Sequence, residues 1–150
     1  MELTIIQIIQ SMLAPGIMIS ACGLLLLGMN NKYSLVVNRI RLLNEEKRKT
    51  PIDIGKQERL DAINMQLPLL IGRLTLIRNA VFFYSIAVAI FVMVILVIGF
   101  KFLVNFQFIP SVIIILFIIG ILCVLAGIIN AAAEVWKGYK IVKIEIESVK

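Results

Sequence analysis

The sequence predicts an all-α membrane protein, with three transmembrane helices and a cytoplasmic antiparallel helical hairpin between the first and second. Three observations lead there. Hydrophobic residues make up 61% of the 150 positions and charged residues 16%, more apolar side chain than a chain of this size can hide from water. Uncharged apolar runs cover 12–29, 80–100 and 109–133, each near the roughly 20 residues that a helix needs to cross about 30 Å of hydrocarbon. Between the first two runs, apolar residues recur at alternating steps of three and four, the spacing of helices that pack along a stripe.

The first element is the span 12–29. Runs this long without turn residues favour helix, which satisfies its own backbone in lipid. Gly16, Ser20 and Gly23 share one side and are expected to pack against a neighbouring helix. The opposite side gathers Gln7, Gln10 and Ser11 toward its outer end, read first as an interfacial amphipathic start and, in the sharper reading, as a candidate pore lining or subunit contact; Pro15 is expected to bend the helix. Ile19-Ser20-Ala21-Cys22 is similar to a lipoprotein cleavage box. No Lys or Arg precedes it and an apolar run follows Cys22, so Cys22 is read instead as a small buried hydrophobe. Cys123 in the third span is read the same way, and two cysteines imply no disulfide framework.

The hairpin, about 30–78, comes next. Leu26, Met29, Tyr33, Val36, Ile40 and Leu43 form the outgoing stripe, so the first span is expected to continue as one helix. Leu60, Ile63, Leu67, Leu70, Leu74 and Ile77 form the returning one, with the turn at Thr50, Pro51, Ile52 and Asp53. Pro68 is expected to kink the return. Basic residues set the orientation: Lys32, Arg39, Arg41, Lys47, Arg48, Lys49, Lys56, Arg59, Arg73 and Arg78 lie in this loop, whereas the loop after the second span has only Lys101. The hairpin therefore reads as cytoplasmic, the amino terminus as outside, and the tail 134–150 as inside. Its basic surplus suits anionic lipid headgroups.

The second span, 80–100, and the third, 109–133, complete a single membrane domain over 1–150. On the third helix Gly120, Cys123, Gly127, Asn130, Ala131 and Glu134 share a face, with Gly120 and Gly127 as packing positions. A Glu at the end of a span needs a cation, and Arg73 or Arg78 lies at matching depth. Trp136 and Tyr139 read as interface anchors.

Enzyme chemistry finds no foothold. The chain has no His, and its nine carboxylates offer no spacing that sets an acid against a base. Metal-ligand spacings and a phosphate-cradling glycine loop are missing, so no cofactor or metal is expected. Aromatic residues for stacking bases are sparse in the basic loop, which argues against nucleic acid.

The segment from Gln10 to Leu43 contains Ala14-Pro15, then Ile19-Ser20-Ala21-Cys22-Gly23-Leu24-Leu25-Leu26-Leu27, Asn31-Lys32-Tyr33 and Asn38-Arg39-Ile40-Arg41-Leu42, followed by Glu45. With Gln66-Leu67-Pro68, Arg73 and Arg78-Asn79, it resembles the bacterial membrane family catalogued as domain of unknown function 2721. Lys32 departs from the Arg expected there. The resemblance implies a bacterial inner membrane protein and carries no activity. The function expected is a homo-oligomeric ion channel or pore with a basic cytoplasmic helical rod. The alternative is a non-conducting scaffold or accessory subunit that binds a partner through the hairpin.

Overall fold

The computed structural model describes three helices: α1, Ile5–Lys49; α2, Gln57–Leu103; and α3, Ile109–Glu147. The side chains of residues 58, 59, 102, 103 and 140–147 fall outside that description. The turn expected at Thr50, Pro51, Ile52 and Asp53 also lies outside the described residues. All three helices are long and apolar enough to cross a bilayer, the signature of a multi-pass membrane protein. With 45, 47 and 39 residues, each exceeds what the hydrocarbon alone requires.

The reason for such long helices is visible in the sequence. Ile, Leu, Val and Phe runs carry no turn chemistry, and α1 continues without a break from its apolar run into the stretch that carries Arg39, Arg41 and Lys47. Pro15 and Pro68 both lie inside helices, and helix resumes on either side of each. Hydroxyls that would be stranded in an apolar setting bond to the carbonyl one turn back: Ser11 to Gln7 at 2.7 Å, Thr75 to Ile71 at 3.1 Å and Ser85 to Val81 at 2.9 Å.

The chain divides into two compact units. One comprises Met1–Gly28 and Val81–Ile128. Its core is Cys22, Ala87 and Phe91, with Met18, Ile19, Val88, Phe117, Cys123 and Val124 packed around them. Phe91 meets Phe117 edge to face, with ring centroids 5.6 Å apart, a favoured aromatic geometry. The other unit comprises Met29–Ala80 and Ile129–Lys150. There Met29, Val36 and Leu43 of α1 are buried, as are Ile63, Leu70, Ile77 and Ala80 of α2. Lys47 Nζ donates to Asn64 Oδ1 at 2.7 Å in the same unit.

Burial selects one row from each stripe that the sequence offers. Every seventh residue is buried, while Ile40, Leu60, Leu67 and Leu74 between them are half-buried and Tyr33 is exposed. A seven-residue step returns to nearly the same side of a helix, so one row points into the contact and its companion row flanks it.

Candidate functional site

In the unit that contains Glu134, all three helices contribute to one charged cluster. Glu134 is 1% exposed. Its Oε1 accepts from Arg73 Nη2 at 2.6 Å and from Arg73 Nε at 3.1 Å, while its Oε2 accepts from Lys32 Nζ at 3.0 Å. Each carboxylate oxygen thus has its own cation, α1 giving Lys32, α2 Arg73 and α3 the acid. Charge-assisted hydrogen bonds of this length are strong, and a carboxylate this deeply buried requires them. The side chains of Arg73 and Lys32 remain 25% and 44% exposed, so the one positive charge left over after neutralisation lies toward the periphery.

One helical turn beyond Glu134, Gly138 supplies room for the arginine. A Cβ there would lie 3.1 Å from both Cζ and Nη2 of Arg73, so a side chain would push the guanidinium off the carboxylate. Lys32 and Gly138 were both missed in reading the sequence. Gly138 had a signal, because four residues place it on the Glu134 face. Lys32 had a weaker one, three residues after the stripe position Met29. Arg78 is not part of the cluster: it is exposed, and its Nη2 donates to Asn79 Oδ1 at 3.4 Å. Five residues separate it from Arg73, which turns it about 140° around the helix.

The small residues singled out from the sequence fall into two groups. Gly120 and Gly127 are sockets for aromatic rings, since an added Cβ would lie 2.7 Å from Phe91 at the first and 2.5 Å from Tyr84 at the second. Seven residues forward on α3 answer to seven back on α2, so these two stretches run antiparallel. Gly16 and Gly23 face open space, and exposed Ser20 bonds only back to the Gly16 carbonyl, at 3.3 Å. Within one chain, a side chain added at Gly16 or Gly23 would therefore meet no neighbouring helix among the described residues. Gln7, Gln10 and Ser11 are exposed on the opening turns of α1.

Other chemistry is sparse among the described residues. No three His, Cys, Asp or Glu side chains converge there, and Cys22 and Cys123 are free thiols. An apolar cleft lined by Met12, Ile95, Leu96, Val97, Gly99 and Phe100 brings no ionisable group with it. No buried side-chain nitrogen or oxygen among the described residues lacks a partner.

A family model described as Protein of unknown function (DUF2721) matches residues 12–144. That range takes in Lys32, Arg73, Gly120, Gly127, Glu134 and Gly138. No curated protein and no solved structure matches the chain.

Proposed function

We propose that this chain, which belongs to the family Protein of unknown function (DUF2721), is a non-conducting, homo-oligomeric membrane scaffold with a helical hairpin in the cytoplasm. The observation that carries this reading is the Glu134 cluster. One buried carboxylate bonded to Lys32 of α1 and Arg73 of α2 suits a fixed pin between helices. A proton or ion relay needs a group that can exchange partners, and both oxygens of Glu134 are already held. In this reading the pin lies at headgroup level in a bacterial inner membrane, and the basic residues of the hairpin engage anionic lipids. Beyond it, the paired stripes of α1 and α2 form a basic rod that receives a protein partner.

A pore is the second reading, and one observation favours it. Gln7, Gln10 and Ser11 lie exposed on the first turns of α1, where a ring of copies would turn them toward an axis. Reconstitution separates the two. The scaffold predicts ion flux from loaded proteoliposomes no greater than from empty ones under a potential or an osmotic load. Flux that falls in Gln10→Leu and Ser11→Leu, with the oligomeric mass unchanged, would establish the pore instead.

A further inference from the structure

We infer that α1 carries a second, self-complementary seam, Asn31, Leu35, Asn38 and Leu42, on which another copy of this chain docks in parallel. Leu35 and Leu42 are 70% and 60% exposed, and Asn31 and Asn38 between them are exposed too. The steps are four, three and four, a heptad row of its own. Its leucines are turned about 100° and its asparagines about 160° from the buried row of Met29, Val36 and Leu43, and all four are exposed in the unit formed by Met29–Ala80 and Ile129–Lys150.

The flanks decide what can cover this seam. Arg39 and Arg41 border it, and acyl chains do not wrap a helix at the level of such charges. Water or a protein surface is left, and the match of the row to itself decides between them. Copies inserted in one membrane share an orientation, so their α1 helices meet in parallel. In a parallel heptad pair, a flanking residue of one helix faces the residue five positions later on the other. Here that sets Arg41 of one copy against Glu46 of the second, opposite charges in both directions across a two-fold axis. The same register brings Asn31 and Asn38 each against its own counterpart, and an amide both donates and accepts. A paired Asn in such a row helps fix alignment, because a slip of three or four residues strands it against Leu. The seam matches itself in apolar spacing, amides and charge.

This inference rests on the homo-oligomeric reading with the hairpin in water, and the experiment separates the two. In a Cys22→Ala, Cys123→Ala background, Leu35→Cys, Leu42→Cys and Asn44→Cys are introduced singly and treated in membranes with a bifunctional maleimide. Asn44 is exposed and, nine residues from Leu35, lies on the opposite side of the helix. Covalent dimers are expected at the two leucine positions and not at Asn44. A second arm measures self-association of purified protein: Arg41→Glu should raise the dimer dissociation constant at least about tenfold, and adding Glu46→Arg should bring it back. Native mass spectrometry of the parent tells the failures apart. An oligomer that cross-links at Asn44 and not at the leucines overturns the seam and leaves the oligomer standing, whereas a monomer at every concentration overturns both. A Leu35→Cys adduct with a mass other than twice the chain places a different protein on the seam and also overturns the inference.

Discussion

Glu134→Gln keeps the volume of the side chain and removes its charge, which makes it the cleanest perturbation of the three-helix cluster. Arg73 and Lys32 then face a neutral amide, and one of them meets an NH2 group that cannot accept. Removing one partner of a fully buried ion pair costs about 3–5 kcal/mol. The cations here are 25% and 44% exposed, so both can turn partly to water and the expected loss is lower, about 2–3 kcal/mol. Arg73→Met leaves the buried acid with Lys32 alone and should approach the same loss. Lys32→Met removes the more exposed cation and should cost about 1 kcal/mol or less, and Lys32→Arg should hold the contact. Unfolding of the purified protein in mixed detergent and SDS micelles, followed by circular dichroism, gives the ranking. A Glu134→Gln protein within about 0.5 kcal/mol of the parent, the scatter of ordinary surface changes, would refute the view that this carboxylate ties the helices together.

Gly127→Ala should destabilise by about 1–3 kcal/mol through its clash with the buried Tyr84 ring, whereas Gly16→Ala, which meets nothing within 4 Å, should be neutral or slightly stabilising; thermal melts of the two side by side check this. Ile63→Asp buries an unpaired charge at a fully covered position and should expose the hairpin to protease. Met65→Asp, two residues on and exposed, should leave the digestion pattern as it is. With the hairpin in the cytoplasm, an impermeant thiol reagent applied to intact cells should label Glu2→Cys and not Lys49→Cys, in a background lacking Cys22 and Cys123; labelling of Lys49→Cys would reverse the orientation.

Much of the fold was legible because membranes and heptads both write long, simple patterns. The helix over Ile5–Lys49 could be read from an apolar run that passes into a stripe without a turn residue, and the buried residues Met29, Val36 and Leu43 lie on that stripe. Which of its members would be covered could not be read. Tyr33 and Val36 both fit steps of three and four, yet only Val36 is buried, because spacing gives the stripe and leaves open the angle at which a partner meets it. The seam of Leu35 and Leu42 was hidden for the same reason. Leu at those positions reads as ordinary helix composition until the covered row is known and these two are seen to lie off it.

At the charged cluster, the limit of the sequence was angular again. Arg73 and Arg78 both lie toward the same end of the second span, and a rotation of about 140° between them separates the one that reaches Glu134 from the one that does not. The row Gly120, Gly127 and Glu134 on α3 shows what sequence can deliver once one contact is fixed. The first two accept the rings of Phe91 and Tyr84, one glycine for each bulky residue across the interface. At the third step the row supplies a carboxylate in place of a gap, and Gly138, one turn on, restores the gap for the arginine that answers it. Here a glycine on the acid's own face, four residues away, leaves the room that the planar guanidinium occupies. Lys would need no such gap, since its ammonium reaches the carboxylate as a point at the end of a flexible stem. Gly138→Ala should accordingly weaken the Arg73 contact and spare the one to Lys32, and in a Gly138→Ala background the loss caused by Arg73→Met should shrink. Equal losses from Arg73→Met in both backgrounds would show that the glycine makes no room that the arginine uses.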